Sequence, residues 1–280
     1  MTKISTRECV IWFLALLAFG IVADEARRLS FGVLVTTALN HNLIYILIYA
    51  AILSRALAIA PEARLSRGDA AVLGGGAVAL ALLSFVGILA LDGAIAMALG
   101  LYLVRMRRAE ENLRAIGAIL LAFGTHLFVA KALQTAFQAE IVSVDSYLVE
   151  MMLRATGDFG ARVGNQVEHA SGFQVAIVGA CSACNIVSLL IPAGVAAVMW
   201  GRSHFERSDL RWMIGGACAL VVVNTLRLGL MVQSHEGYVY WHNEGGATWV
   251  AIVQTAVVLA VAAGAARPWD RPSGGAKVAA

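Results

Sequence analysis

Three residues in this chain have types and settings that could do chemistry together: Cys181, Arg227 and His242. Cys181 opens a small polar knot, Cys181-Ser182-Ala183-Cys184-Asn185, with apolar sequence on either side from Ala176 to Gly194. Apolar segments rarely gather a thiol, a hydroxyl and an amide unless something uses them. Arg227 lies in Asn224-Thr225-Leu226-Arg227-Leu228, and His242 in Tyr240-Trp241-His242-Asn243. A thiol attacks a carbonyl as its thiolate, and a helix N-terminus, a guanidinium and an imidazole each favour that form. The imidazole can then pass a proton to a leaving amine. A permanently charged guanidinium can hold the developing oxyanion. Each residue alone also has an ordinary reading: a packed core thiol, an arginine snorkelling to the interface, a histidine in an aromatic belt.

Whether the three meet depends on topology. The 280 residues are 60% hydrophobic and 14% charged, with a mean hydropathy of +0.77. A soluble domain cannot hide that much apolar surface, so the expected fold class is an all-α polytopic membrane protein, one integral membrane domain over 1–280. Apolar runs predict eight spans, at about 9–23, 32–54, 70–91, 93–104, 115–133, 182–200, 210–232 and 247–266. With the N-terminus inside, 15 of the 21 Lys and Arg fall on inner segments. That bias predicts both termini in the cytoplasm and a loose cytoplasmic tail over 267–280. Lys3 and Arg7 followed by an apolar run could pass for a signal peptide, but a retained first helix gives the more consistent topology.

The segment 134–180 is then extracytoplasmic. Ile141, Val144, Leu148, Met151, Met152 and Ala155 recur at helical spacing and predict an amphipathic helix on the membrane surface. Val163, Asn165 and Val167, then Phe173, Val175 and Ile177, alternate around a Ser171-Gly172 turn and predict a short β-hairpin leading into Cys181. The next helix should begin near Ser182. That places Cys181 at a water-exposed helix mouth and Cys184 one turn deeper, about 4.5 Å by helix rise, and better shielded. On this topology Cys181, Arg227 and His242 share the outer level.

GACSA at a helix start, NxxR inside the next helix and HxxG before the last resemble the exosortase/archaeosortase family. The approach ATGDFGARVGNQVEHASGFQVAIVGACSA is similar too. The likeness covers about residues 100–250 and is strongest from Ala155 to Gly245. It implies a multipass cysteine peptidase or transpeptidase with Cys181, Arg227 and His242 as catalytic residues and Asn224 as a helper. It also implies membrane-anchored protein substrates bearing a tripartite C-terminal sorting signal: a short motif often containing Pro-Glu-Pro, a transmembrane helix, then a basic cluster. After Cys181-Ser182 the family usually has a small and then an apolar residue, whereas here Ala183 precedes Cys184 and Asn185.

Other readings compete. The Cys181/Cys184 pair fits a membrane thiol–disulfide oxidoreductase, but such enzymes normally use a second outer pair, and Cys9 and Cys218 fall elsewhere. Cys181, Cys184, His235 and His242 could form a Cys₂His₂ set, with histidine spacing outside that of structural zinc. HExxH and GxSxG are absent. No cofactor is implied. Short basic clusters between apolar runs argue against a nucleic-acid partner and for the lipid bilayer. A transporter could also use intramembrane polar residues. Ser182 and Cys184 adjoin the candidate nucleophile, and His41 and His126 lie in the outer halves of their spans, fitted to helix–helix hydrogen bonding or to lining the site.

Overall fold

The computed structural model describes residues 31–60, 63, 65–86, 89–106, 110–243 and 245–266, together with 5–8, 10–12 and 15. Most of the first expected span, Cys9 and the tail 267–280 lie outside them. The described residues are mostly helical, at 81%. Its elements are α1 (Phe31–Leu57), α2 (Arg67–Val86), α3 (Leu89–Arg105) and α4 (Glu111–Gly124). A π-helical turn, Thr125–Ala130, carries α4 into α5 (Lys131–Ala136), and α6 (Gln138–Thr156) follows. Strands β1 (Phe159–Val163), β2 (Gln166–His169) and β3 (Gln174–Ala176) lead to a 3₁₀ turn, Gly179–Cys181. The chain closes with α7 (Cys184–Gly201), α8 (Arg207–Val232), α9 (His235–Asn243) and α10 (Gly245–Ala266).

Four stretches among the described residues are long and apolar enough to cross a membrane: Glu111–Ala136, α7, α8 and α10. They coincide with the last four expected spans. Helices α1, α2 and α3 occupy the places of the second to fourth, α1 with a shorter apolar stretch at Leu43–Leu57. These are the helices of a membrane protein.

The main core joins Ile48 and Ile52 of α1, Leu103 of α3, Ile116 and Phe123 of α4, Leu189 of α7 and Val258 of α10. Helices α3 and α4 meet backbone to backbone. A Cβ on Gly100 would lie 2.4 Å from the Leu121 nitrogen, and one on Gly124 would lie 2.4 Å from the Met97 nitrogen. Lipid supplies no hydrophobic drive between helices, so small-residue seams of this kind supply close packing instead. Gly100→Leu is expected to split the pair and lower the thermal midpoint in detergent. An unchanged midpoint would show that the seam contributes little.

A second cluster lies at one end of the bundle. Val142, Val149 and Leu153 of α6, Val167 and Val175 of the sheet, and Leu228, Met231 and Val232 of α8 enclose Cys181. Helix α6 confirms the expected helix but buries a different face: Val144 and Met151 are exposed, while Asp145 and Ser146 are buried with Val142, Val149 and Leu153. The buried stripe runs at 3- and 4-residue spacing through two polar residues, which a purely apolar pattern steps around.

The expected hairpin is a three-stranded antiparallel sheet, ordered β1-β2-β3. The β2–β3 pair, with Val167 opposite Val175, keeps the expected hairpin around Ser171-Gly172. The expected first strand through Val163, Asn165 and Val167 is corrected: a turn at Gly164-Asn165 cuts it, leaving Val163 at the end of β1. The added strand β1 pairs Phe159 with His169 and Arg162 with Val167, with a bulge between them. An extra residue breaks the two-residue period, which hides such a strand from alternation. Gly157 ends α6 with φ +83°, a left-handed cap that glycine adopts without a Cβ clash. Glu150 of α6 binds Arg154 and Arg162, tying helix to strand, and the two guanidiniums hold its carboxyl below the usual range.

Candidate functional site

The site is built where β3 hands over to α7. Asn165 clasps the exit of the sheet: its side-chain amide donates to the Ile177 carbonyl at 2.8 Å, and its own carbonyl accepts the Ile177 N–H at 2.9 Å. The chain then coils through Gly179–Cys181, with the Cys181 N–H on the Val178 carbonyl at 2.8 Å. Asn185 reaches back to the Gly179 carbonyl at 3.2 Å. The polar knot therefore ties the turn to the first turn of α7.

Cys181 is the last residue of this turn and not part of α7, which begins at Cys184. Two expectations are corrected by this. Cys181 is buried, at 7% exposure, and Cys184 is only half-buried, so the order of shielding is the reverse of that expected. Packing of α6 and α8 over the 3₁₀ turn covers Cys181, whereas Cys184 sits on the rim of the helix start. Both thiols are free.

Asn224 of α8 donates its side-chain amide to the Cys181 carbonyl at 2.9 Å, entirely within the interior. Arg227 follows three residues later, on the same helix face. Its Nε donates to the Trp241 carbonyl at 3.1 Å. Its terminal nitrogens have no protein hydrogen bond among the described residues. His242 comes next in the chain, on the short helix α9 and not in a loop. Its ring stacks on Tyr238 with centroids 5.0 Å apart, and its Nδ1 meets the Asn243 side-chain oxygen at 2.7 Å. With Nδ1–H donating there, Nε2 is the nitrogen left to accept or deliver a proton.

Helix α8 thus touches Cys181 through Asn224 and the residue before His242 through Arg227. No hydrogen bond joins the Cys181 thiol to Arg227 or His242 directly. Catalytic hydrogen bonds are often long before substrate arrives and tighten only in its complex.

Asp145 was not among the expected site residues. It is 5% exposed and faces the knot from α6. The Ser182 hydroxyl and the Ala183 N–H lie near its carboxyl and favour the charged form, while its Oδ2 is buried with no hydrogen-bond partner among the described residues. The Ser182 oxygen accepts the Cys184 N–H at 3.1 Å, so the serine satisfies one donor at the start of α7. Burial pushes the Asp145 carboxyl up from its ordinary value, and the neighbouring Ser182 and Ala183 partly oppose this. A carboxyl raised by burial stabilises the fold fully below its unfolded value, and that contribution is lost as pH rises through the folded one. Asp145→Asn keeps an acceptor and removes the buried charge. The variant is therefore expected to gain thermal stability over the parent between pH 4 and pH 8, which paired melting curves at the two values would show. A gap independent of pH would mean that Asp145 does not titrate in this window.

The remaining expected residues lie apart. His126 sits in the π-helical turn, with Nδ1 3.0 Å from the Ser188 hydroxyl, which donates to the Asn185 carbonyl at 2.8 Å. Through Ser188 it reaches the knot on α7. This is the helix–helix hydrogen bond expected of an intramembrane histidine. His41 lies within α1, and its side chain is outside the described residues. His235 packs edge-on against Phe173, and among the described residues no three metal-ligating side chains form a cluster. No protein-family model matches this chain, and no match is found among curated proteins or solved structures.

Proposed function

We propose that this chain is an integral membrane cysteine endopeptidase or transpeptidase of the exosortase type, with Cys181 as nucleophile, His242 as acid/base and Arg227 as electrostatic partner. The observation that carries this reading is the link across the site. The carbonyl of Cys181 is held by Asn224, on the helix face that presents Arg227, and Arg227 is bonded to the residue preceding His242. A nucleophile, a cation and an imidazole linked in this way at one end of apolar helices support a reading of acyl transfer.

The topology proposed with it has eight spans, both termini in the cytoplasm, and residues 134–180 and 233–246 on the outer side of the cell's inner membrane. The thiolate of Cys181 attacks a peptide carbonyl of a membrane-anchored substrate, forming a C–S bond. The oxyanion is met by the terminal N–H groups of Arg227. His242 delivers a proton to the leaving nitrogen as the C–N bond breaks, and water or another amine then resolves the thioester. Asn224 fixes the backbone of Cys181, and Ser182 fixes the helix start beside it. Both position the nucleophile without touching the scissile bond.

Cysteine-accessibility labelling tests the topology. Probes at 134–180 and 233–246 are expected to react from outside. Outside labelling in the 202–211 loop would invert the assignment and detach the site from exported substrates.

A further inference from the structure

At the end of the bundle away from Cys181, a groove of about 580 Å³ runs between α8 and α10. Ser208, Arg211, Trp212, Gly215 and Ala219 line one wall, and Val257 and Val261 belong to the other. We propose that this groove binds one acyl chain of an anionic phospholipid, with the phosphate held by Arg211 and Ser208.

Its polarity is one-ended. From Ser208 to Ala219 it descends about 16 Å at the helical rise per residue. That is close to half of a hydrocarbon core about 30 Å thick, the depth of one leaflet. Everything below Arg211 is apolar or glycine. At the mouth, the Ser208 hydroxyl is buried and has no partner among the described residues. The nearby acids do not neutralise Arg211: Asp209 and Glu206 are both bound by Arg202. Neither Arg207 nor Arg211 has an ion pair among the described residues. The mouth therefore offers positive charge and an unused hydroxyl donor where a headgroup would lie, and basic pockets between membrane helices bind such headgroups.

Two adjacent glycines shape the groove. A Cβ on Gly216 would lie 2.4 Å from Val261 Cγ2, so this glycine lets α8 and α10 touch at the floor. A Cβ on Gly215 would meet nothing within 4 Å, so its position opens into the groove. Trp212 walls the mouth, its indole lying 2.9 Å from where a Gly264 Cβ would be. Tryptophan favours this interfacial level.

The proposal needs α8 and α10 to span a membrane and is independent of the peptidase chemistry. Its test is native mass spectrometry and thermal melting of the full chain in mild detergent, with added phosphatidylglycerol or phosphatidylcholine. The parent is expected to keep phosphatidylglycerol adducts and to melt higher with that lipid than with phosphatidylcholine. Arg211→Gln should weaken phosphatidylglycerol binding about five-fold and leave phosphatidylcholine unchanged, the effect of one interfacial cation. Gly215→Leu fills open space with a better helix former, so it should fold and lose the adduct. Equal binding of the two lipids by the parent would overturn the proposal. So would unchanged adducts in Gly215→Leu, or a dimer mass with no lipid, which would mean that a second copy occupies the groove.

Discussion

Cys181→Ala is expected to abolish processing of a co-expressed substrate carrying a tripartite C-terminal tail, while Cys184→Ala keeps most of it. The two thiols are three residues apart and differ in setting. The Cys181 backbone is held by Asn224 from the helix that carries Arg227, and its thiol lies in the cluster between α6, the sheet and α8. Cys184 starts α7, and its N–H is occupied by the Ser182 oxygen. Only one sulfur can form the thioester. A thiol–disulfide oxidoreductase would instead need both in one bond, so that losing either would stop the reaction. Equal loss in the two single variants, with inhibition by reductant, would sink the peptidase assignment and favour the redox one.

The next largest effect is expected at Arg227. Lysine keeps the charge but loses the planar fork and the Nε–H that binds the Trp241 carbonyl at 3.1 Å. That bond couples α8 to α9 and so fixes the cation relative to His242. Removing a preorganised oxyanion donor costs about 10²-fold or more in turnover, and Arg227→Lys should lose at least that much with the protein still folded. An arginine that merely snorkels to the interface would be replaced by lysine almost without penalty, and near-parental turnover would remove it from the site.

The helical spans from residue 111 onward were legible because each is a long apolar run, and in a membrane that pattern alone decides burial of the backbone. The candidate residues were chosen by their types and by the depth that the expected spans assign them. What escaped pattern reading depends on contacts between elements. Asp145 and Ser146 are polar, so they read as the wet face of α6, although they stand in register with Val142, Val149 and Leu153. A carboxylate inside that stripe was the available signal for a buried partner. Cys181 read as exposed because a helix start usually is. Its cover comes from Val142, Val149 and Leu228, which are distant in sequence. Strand β1 was hidden by its bulge, and the π-helical turn at His126 left no mark on an unbroken apolar run.

The most direct test of Cys181 as the nucleophile of a membrane peptidase is mass spectrometry of a tailed substrate recovered from membranes containing the parent or Cys181→Ala. With the parent, a product truncated between the sorting motif and its transmembrane helix is expected, ending in a free acid after hydrolysis or in an added group after transfer. With Cys181→Ala only the full-length chain should appear. The same truncated product in both samples would contradict the assignment.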